Sequence, residues 1–255
     1  MSKSADIQQL FASSKPASTK PIREADLAPL PLPVQRYLRW SNVVGKAPVQ
    51  TIRLRQQGAM RPNPNGKWMP AVAEQYYTVY PPAFLWYARV QAAPLMRMTG
   101  RDEFKDGHGH MHIKLFGLYS LFNERGAEID QGTMMRYLSE IIWFPTAWLS
   151  DYITWEAVDD HRAKATMHYA GKTVTGLLTF SDEGRFLRFE APRYRSNPDK
   201  TSTLRTWVAT SSADSDFEGL RISSESAVTW LLPEGEHTYF KARVFGVNYN
   251  CPEQY

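Results

Sequence analysis

The stretch IDQGTMMRYLSEIIWFPTAWLS, Ile129 to Ser150, interrupts a chain that is otherwise patterned for strands. Its apolar residues Met134, Tyr137, Leu138, Ile141, Phe144 and Trp148 recur at helical spacing, so one face of a helix is apolar. Asp130 is placed to cap the start, Arg136 and Glu140 stand one turn apart as an i, i+4 pair, and Pro145 should end or kink the helix. Nearly every face of its second half is apolar, which predicts a helix that is deeply buried or covers a cavity.

On both sides of this helix the period is two. Ile52 and Leu54 alternate with Arg53 and Arg55, and Phe84, Trp86, Ala88 and Val90 share one face. Met96 and Met98 alternate with Arg97 and Thr99. NPNG at 63–66, PP at 81–82, KDG at 105–107 and NERG at 123–126 supply turns between these runs. After the helix, Ala163, Ala165, Met167 and Tyr169 alternate before a turn near Ala170, and LRTWVAT, SAVTWLL and HTYFKARVFGV read as further strands. The expectation is a mainly β (α+β) fold: one large curved antiparallel sheet or half-barrel of roughly nine to eleven strands holding a central buried helix. Residues 1–28, rich in Ser, Lys, Ala and Pro, read as a flexible N-terminal arm in which Ile7, Leu10 and Phe11 can form one amphipathic turn or two, and residues 29–255 as a single half-barrel domain. Within the latter, LPLPVQRYLRW predicts a short helix with Val34, Tyr37 and Leu38 on one side.

Composition narrows the function classes. A single cysteine, Cys251, excludes an intrachain disulfide and a cysteine-based zinc site. A net charge of +4 permits an anionic partner without demanding one. The basic, aromatic segment 185–200 lacks the stripe and the module of a nucleic-acid binder, so no nucleic-acid partner is expected. Without a long apolar run there is no transmembrane segment, which leaves peripheral membrane contact open; with no leader-like start, the expected location is cytoplasmic. Nothing in the pattern sets an oligomeric state.

KDGHGHMHIKLFG, Lys105 to Gly117, raises the question of a metal. Residues i and i+2 of a strand lie about 6.7 Å apart, so the outer two of three alternating histidines are about 13 Å apart and cannot close on one ion. At most two of the three can ligate together, His110 and His112 being the favoured pair because His108 falls in the turn, and a third ligand must come from elsewhere. Lys114 continues the histidine face, which marks it as solvated, while Met111, Ile113 and Leu115 form the apolar face. No cofactor is expected.

Two carboxylates remain as candidate acid–base groups. Asp102 and Glu103 alternate, so one of them faces inward, and Glu140 lies in the apolar part of the helix. The aromatic content, 13% with eight tryptophans, gives bulky material for a tightly packed core, but a strongly curved sheet is hard to fill completely. The expected function is therefore binding of a hydrophobic small molecule or acyl chain in the concave cavity. The candidate ligand-binding residues are Trp86, Met98, Arg136, Glu140, Trp143 and Trp148. The alternative is an enzyme in the same cavity, using Asp102 or Glu140 or, less favoured, zinc on His110 and His112.

LPLPVQRYLRW, GKWMPAVAEQYY, PPAFLWYA, GRDEFKDGHGHM, RYLSEIIWFPTAWL and WEAVDD together resemble a bacterial family of no assigned function, over about residues 30–250. The resemblance implies that Arg101, Asp102, Arg136, Glu140, Trp143, Pro145 and Trp155 belong to the shared pattern. The order of elements is also similar to the lipoprotein-carrier (LolA-like) half-barrel, which implies an unclosed barrel whose apolar concave face binds acyl chains.

Overall fold

The structure, a computed structural model, describes residues 2–15, 18–197 and 201–255. Three helices, α1 (Lys3–Ala12), α2 (Glu24–Leu27) and α3 (Leu32–Trp40), precede the sheet. The first run of strands is β1 (Thr51–Met60), β2 (Met69–Thr78), β3 (Ala83–Ala93), β4 (Met96–Lys105), β5 (His108–Leu115) and β6 (Tyr119–Glu124). Helix α4 (Ala127–Glu140) and two 3-10 turns, Ile141–Trp143 and Pro145–Leu149, follow. The second run is β7 (Ile153–Ala157), β8 (Arg162–Tyr169), β9 (Lys172–Phe180), β10 (Phe186–Ser196), β11 (Ser202–Phe217), β12 (Leu220–Leu232) and β13 (Gly235–Tyr249).

All thirteen strands form one antiparallel sheet in the order β6-β5-β4-β3-β2-β1-β13-β12-β11-β10-β9-β8-β7. Every neighbour but one is a hairpin partner. The exception, β1 beside β13, places the first and last strands together at the centre. The edges β6 and β7 do not pair, so the sheet is open, and α4 is the chain between them. Helix α4 touches β4 and β5 from one half and β9 and β10 from the other, which requires the sheet to curl around it. Register shifts at Arg55/Gln56 in β1 and between Ser211 and Asp214 in β11 supply local bends. The strand count exceeds the expected nine to eleven partly because β6 is exposed along most of its length and carries no alternation to read.

Gly109 on β5 shows why α4 seats so closely. A Cβ there would lie 2.6 Å from the carbonyl oxygen of Ile129 and would also strike Thr133 Oγ1, so only glycine admits this approach. The Gly109 N–H donates to Asp130 Oδ1 at 2.7 Å. Asp130 therefore does not cap the helix, as its position suggested. The helix begins three residues earlier, after Gly126, and Asp130 ties its first turn to β5. At the other end the α-helix stops at Glu140, and Pro145 opens the second 3-10 turn.

In the N-terminal segment, Ile7, Leu10 and Phe11 lie on one side of a helix longer than the turn or two their spacing suggested. Helix α1 lies on the convex face, where Ile7, Leu10 and Phe11 cover Tyr76, Ala83 and Leu85. These sheet residues are apolar on the side facing away from the main core, and burying them offsets the entropy of ordering the helix. Asp6 fixes the position by accepting from Tyr87 Oη at 2.9 Å and Arg101 Nε at 3.1 Å. Residues 1, 16 and 17 of that arm, and 198–200 of the basic segment, lie outside the described residues. Helix α3 forms where LPVQRYLRW predicted it, and Tyr37 stacks on Trp148 with ring centroids 4.1 Å apart. No helix among the described residues is long and apolar enough to cross a membrane.

Candidate ligand cavity

A cavity of about 150 Å³ opens between the C-terminal end of α4 and the concave face of the sheet. That is roughly ten times the space that one water requires. The helix and its following turn contribute Arg136, Ser139, Glu140, Ile142 and Trp143. The first run of strands contributes Met60, Trp86, Gly100, Asp102, Met111 and Ile113. The second contributes Arg193, Trp207, Ala209, Val228, Tyr239 and Phe240. Trp207 and Ala209 alternate, as do Met111 and Ile113, because one pleat face points inward, while Tyr239 and Phe240 are adjacent where the β12–β13 register shifts.

The polar part of the wall is a bridge between helix and sheet. Arg136 donates from Nε to Glu140 Oε1 at 2.8 Å, from Nη1 to Asp102 Oδ2 at 2.5 Å and from Nη2 to Gln75 Oε1 at 3.3 Å. Gln75 Nε2 and Tyr77 Oη donate to the other Glu140 oxygen at 2.8 and 3.0 Å. The guanidinium also lies 4.9 Å from the ring centres of both Phe84 and Trp86. Burial pushes the Glu140 carboxyl above its ordinary range, and Arg136, Tyr77 and Gln75 only partly offset it. Burial works against the Arg136 charge too, but Glu140 and Asp102 outweigh it and raise its pKa above the ordinary arginine value.

Two buried polar atoms on this wall have no partner among the described residues: Asp102 Oδ1, an acceptor, and Trp143 Nε1, a donor. Buried polar groups are seldom left so. By contrast Trp86 Nε1 is satisfied by Gln56 Oε1 at 3.1 Å.

The structure thus brings Trp86, Asp102, Arg136, Glu140 and Trp143 to one cavity. Met98 is half-buried on the same strand as Asp102, outside the lining, opposite Val90 and Leu115 toward the hairpin tip. Trp148 is 0% exposed and stacks on Trp155 at 4.7 Å, with Nε1 donating to the Ile141 carbonyl. It packs the core behind the helix and does not reach the cavity. Glu103 points outward to Arg101 at 2.9 Å.

The histidine face is the convex one. His110 Nε2 meets Asn123 Oδ1 at 2.8 Å, and its Nδ1 meets Arg125 Nη2 at 2.8 Å and Arg101 Nη1 at 3.3 Å. His112 is held below the ordinary imidazole value by lost hydration and by Lys114, His110 and Arg101. Cationic neighbours of this kind oppose a dication. Among the described residues no three His, Cys, Asp or Glu side chains come together as metal ligands.

Sequence reasoning missed Arg193, Trp207 and Tyr239. Parity carries the signal for the first: Phe189, Ala191 and Arg193 share a face, so the arginine follows two buried apolar residues inward.

Residues 20–242 match the model of a family of unknown function, DUF6544. No curated protein matches the chain in sequence. Among solved structures, a DUF1329 family protein from Desulfovibrio piger is similar at 11% identity and a TM-score of 0.45, covering 87% of this chain and 94% of that one. A LolA superfamily protein from Nitrosomonas europaea is similar at 9% identity and a TM-score of 0.40, covering 84% of this chain and 92% of that one.

Proposed function

The chain belongs to DUF6544, a family of unknown function, so its activity has to be read from the cavity, and we propose that it binds an apolar small molecule or acyl chain there. The observation that carries the reading is an apolar-walled cavity of about 150 Å³ whose lining keeps two buried polar atoms, Asp102 Oδ1 and Trp143 Nε1, without a partner. Apolar walls with a few convergent polar groups are the usual make-up of a small-molecule site. An apolar ligand gains from displacing water along Met60, Met111, Ile113 and Ile142, and the methionines adapt to its shape. The polar atoms orient it. The bridge of Arg136 to Asp102 and Glu140 holds the helix end as a fixed floor.

One observation favours acid–base catalysis as a second reading: Asp102 keeps a buried carboxylate oxygen, Oδ1, without a partner among the described residues. Both oxygens of the Glu140 carboxylate are engaged by Arg136, Gln75 and Tyr77, so the proton-transfer role falls to Asp102 Oδ1.

Native mass spectrometry of the purified protein tests both. A bound mass of several hundred daltons, released intact on denaturation, supports the binder. A bound molecule released chemically altered supports the enzyme. A bare protein that also takes up no added alkyl alcohol contradicts the cavity reading.

A further inference from the structure

We infer that the cavity's ligand carries an anionic head group, a carboxylate or a phosphate, which Arg193 receives at the mouth. This inference rests on the cavity reading and names its ligand class.

Arg193 is only 9% exposed, yet it makes no hydrogen bond and no ion pair among the described residues. Its guanidinium lies 4.9 Å from the Trp207 ring centre and passes across Gly132 of α4, where a Cβ would come within 3.1 Å of Nε. A guanidinium has five N–H donors and is always charged, so one this buried calls for an acceptor. Trp207 and Gly132 set its direction without supplying one.

The surroundings add positive charge. Arg205 stands directly opposite Arg193 in the β10–β11 ladder, so the two side chains leave the same face about 5 Å apart at Cβ. Like charges in that relation cost stability unless an anion sits between them. Arg195, two residues along β10 on the same face, is half-buried. Neither Arg195 nor Arg205 makes an ion pair among the described residues.

Arg193 also joins two spaces. It lines the cavity and an adjoining recess between β5, α4 and β10, which share Met111, Ile113 and Tyr239. Arg195 lines the recess, whose one carboxylate among the described residues, Glu128, is exposed to solvent. An amphiphile with its tail against Trp86, Met60 and Trp143 and its head at Arg193 satisfies the buried charge and leaves its polar end at the open side. Arginine binds both carboxylate and phosphate through paired N–H donors, so the head group is of either kind.

Calorimetric titration of the full chain near neutral pH with dodecanoate, dodecyl phosphate and dodecanol tests the assignment. At least one acid should bind roughly tenfold or more tightly than the alcohol, and the tighter acid names the head group. Within the variant Arg193→Met the acid-to-alcohol affinity ratio should fall to about one, while Arg193→Lys should keep part of the preference. Equal affinity of the wild type for all three overturns the head-group assignment and leaves the cavity reading standing. An acid preference that survives Arg193→Met overturns the role of Arg193. Failure of all three to bind overturns both. The comparison within the wild type does not depend on either variant folding.

Discussion

Arg136 and Asp102 meet at 2.5 Å, Nη1 to Oδ2, although 34 positions separate them in the chain. This contact, with the Arg136–Glu140 pair on the same helix, joins the end of α4 to the concave face and fixes one wall of the cavity. Arg136→Met leaves Asp102, 2% exposed, without its cation. Breaking a buried pair from one side is costly because the remaining charge stays buried. Chemical denaturation should show a loss of about 3 kcal/mol. A loss no larger than that of an exposed ion pair would mean that the bridge does not hold the helix.

Asp130 gives the account a pH signature. Burial works against its charge, but the Gly109 N–H, Lys172 at 3.3 Å and His108 at 3.2 Å outweigh it and hold the carboxyl below the usual aspartate range. A carboxyl whose pKa is lower folded than unfolded stabilises fully above the unfolded value, and that contribution is lost as pH falls through the folded value. Asp130→Asn keeps an acceptor for Gly109 and removes the charge. It should cost about 1–2 kcal/mol at neutral pH, and the difference from wild type should shrink to nothing below the aspartate range. Urea midpoints across that range read it directly.

Two tryptophans five positions apart should behave oppositely. Trp148 is packed on all sides and satisfied, so Trp148→Ala should cost about 3–5 kcal/mol. Trp143 lines the cavity with an unpartnered N–H, so Trp143→Phe should change stability by less than about 1 kcal/mol while altering ligand affinity. Thermal melts with and without dodecanol separate the two effects.

Zinc should not distinguish wild type from His110→Ala. The imidazole of His110 is held between Asn123, Arg125 and Arg101, and any ion there would face these guanidinium groups. Zinc titration followed by calorimetry should give the same weak response for both proteins. A stoichiometric site present only in the wild type would contradict this.

Much of the fold was legible because it rests on periodicity. Period-two runs and turn residues gave the meander, and the helical spacing of Met134, Tyr137 and Leu138 gave α4. The i, i+4 relation of Arg136 and Glu140 is local, so it was readable as well. Its closure by Asp102 was not, because a strand and a helix 34 positions apart meet only through the curl of the sheet. The N-terminal helix was legible only as an amphipathic turn or two, for a related reason. Ile7, Leu10 and Phe11 become a folding signal only once Tyr76 and Leu85 are seen to lie uncovered on the convex face. The placement of Asp130 was misread because a capping residue and a tertiary acceptor look alike in sequence.

Filling the cavity tests the central claim most directly. Ala209 is a small residue on the lining of the second run of strands, and Ala209→Phe places a ring in the space without touching the Arg136 bridge. The measurement is the dodecanol dissociation constant of wild type and Ala209→Phe by calorimetry, with the fold of both checked by circular dichroism. The account predicts that the folded variant loses about tenfold or more in affinity. Undiminished binding by the variant, or no binding by the wild type, would contradict it.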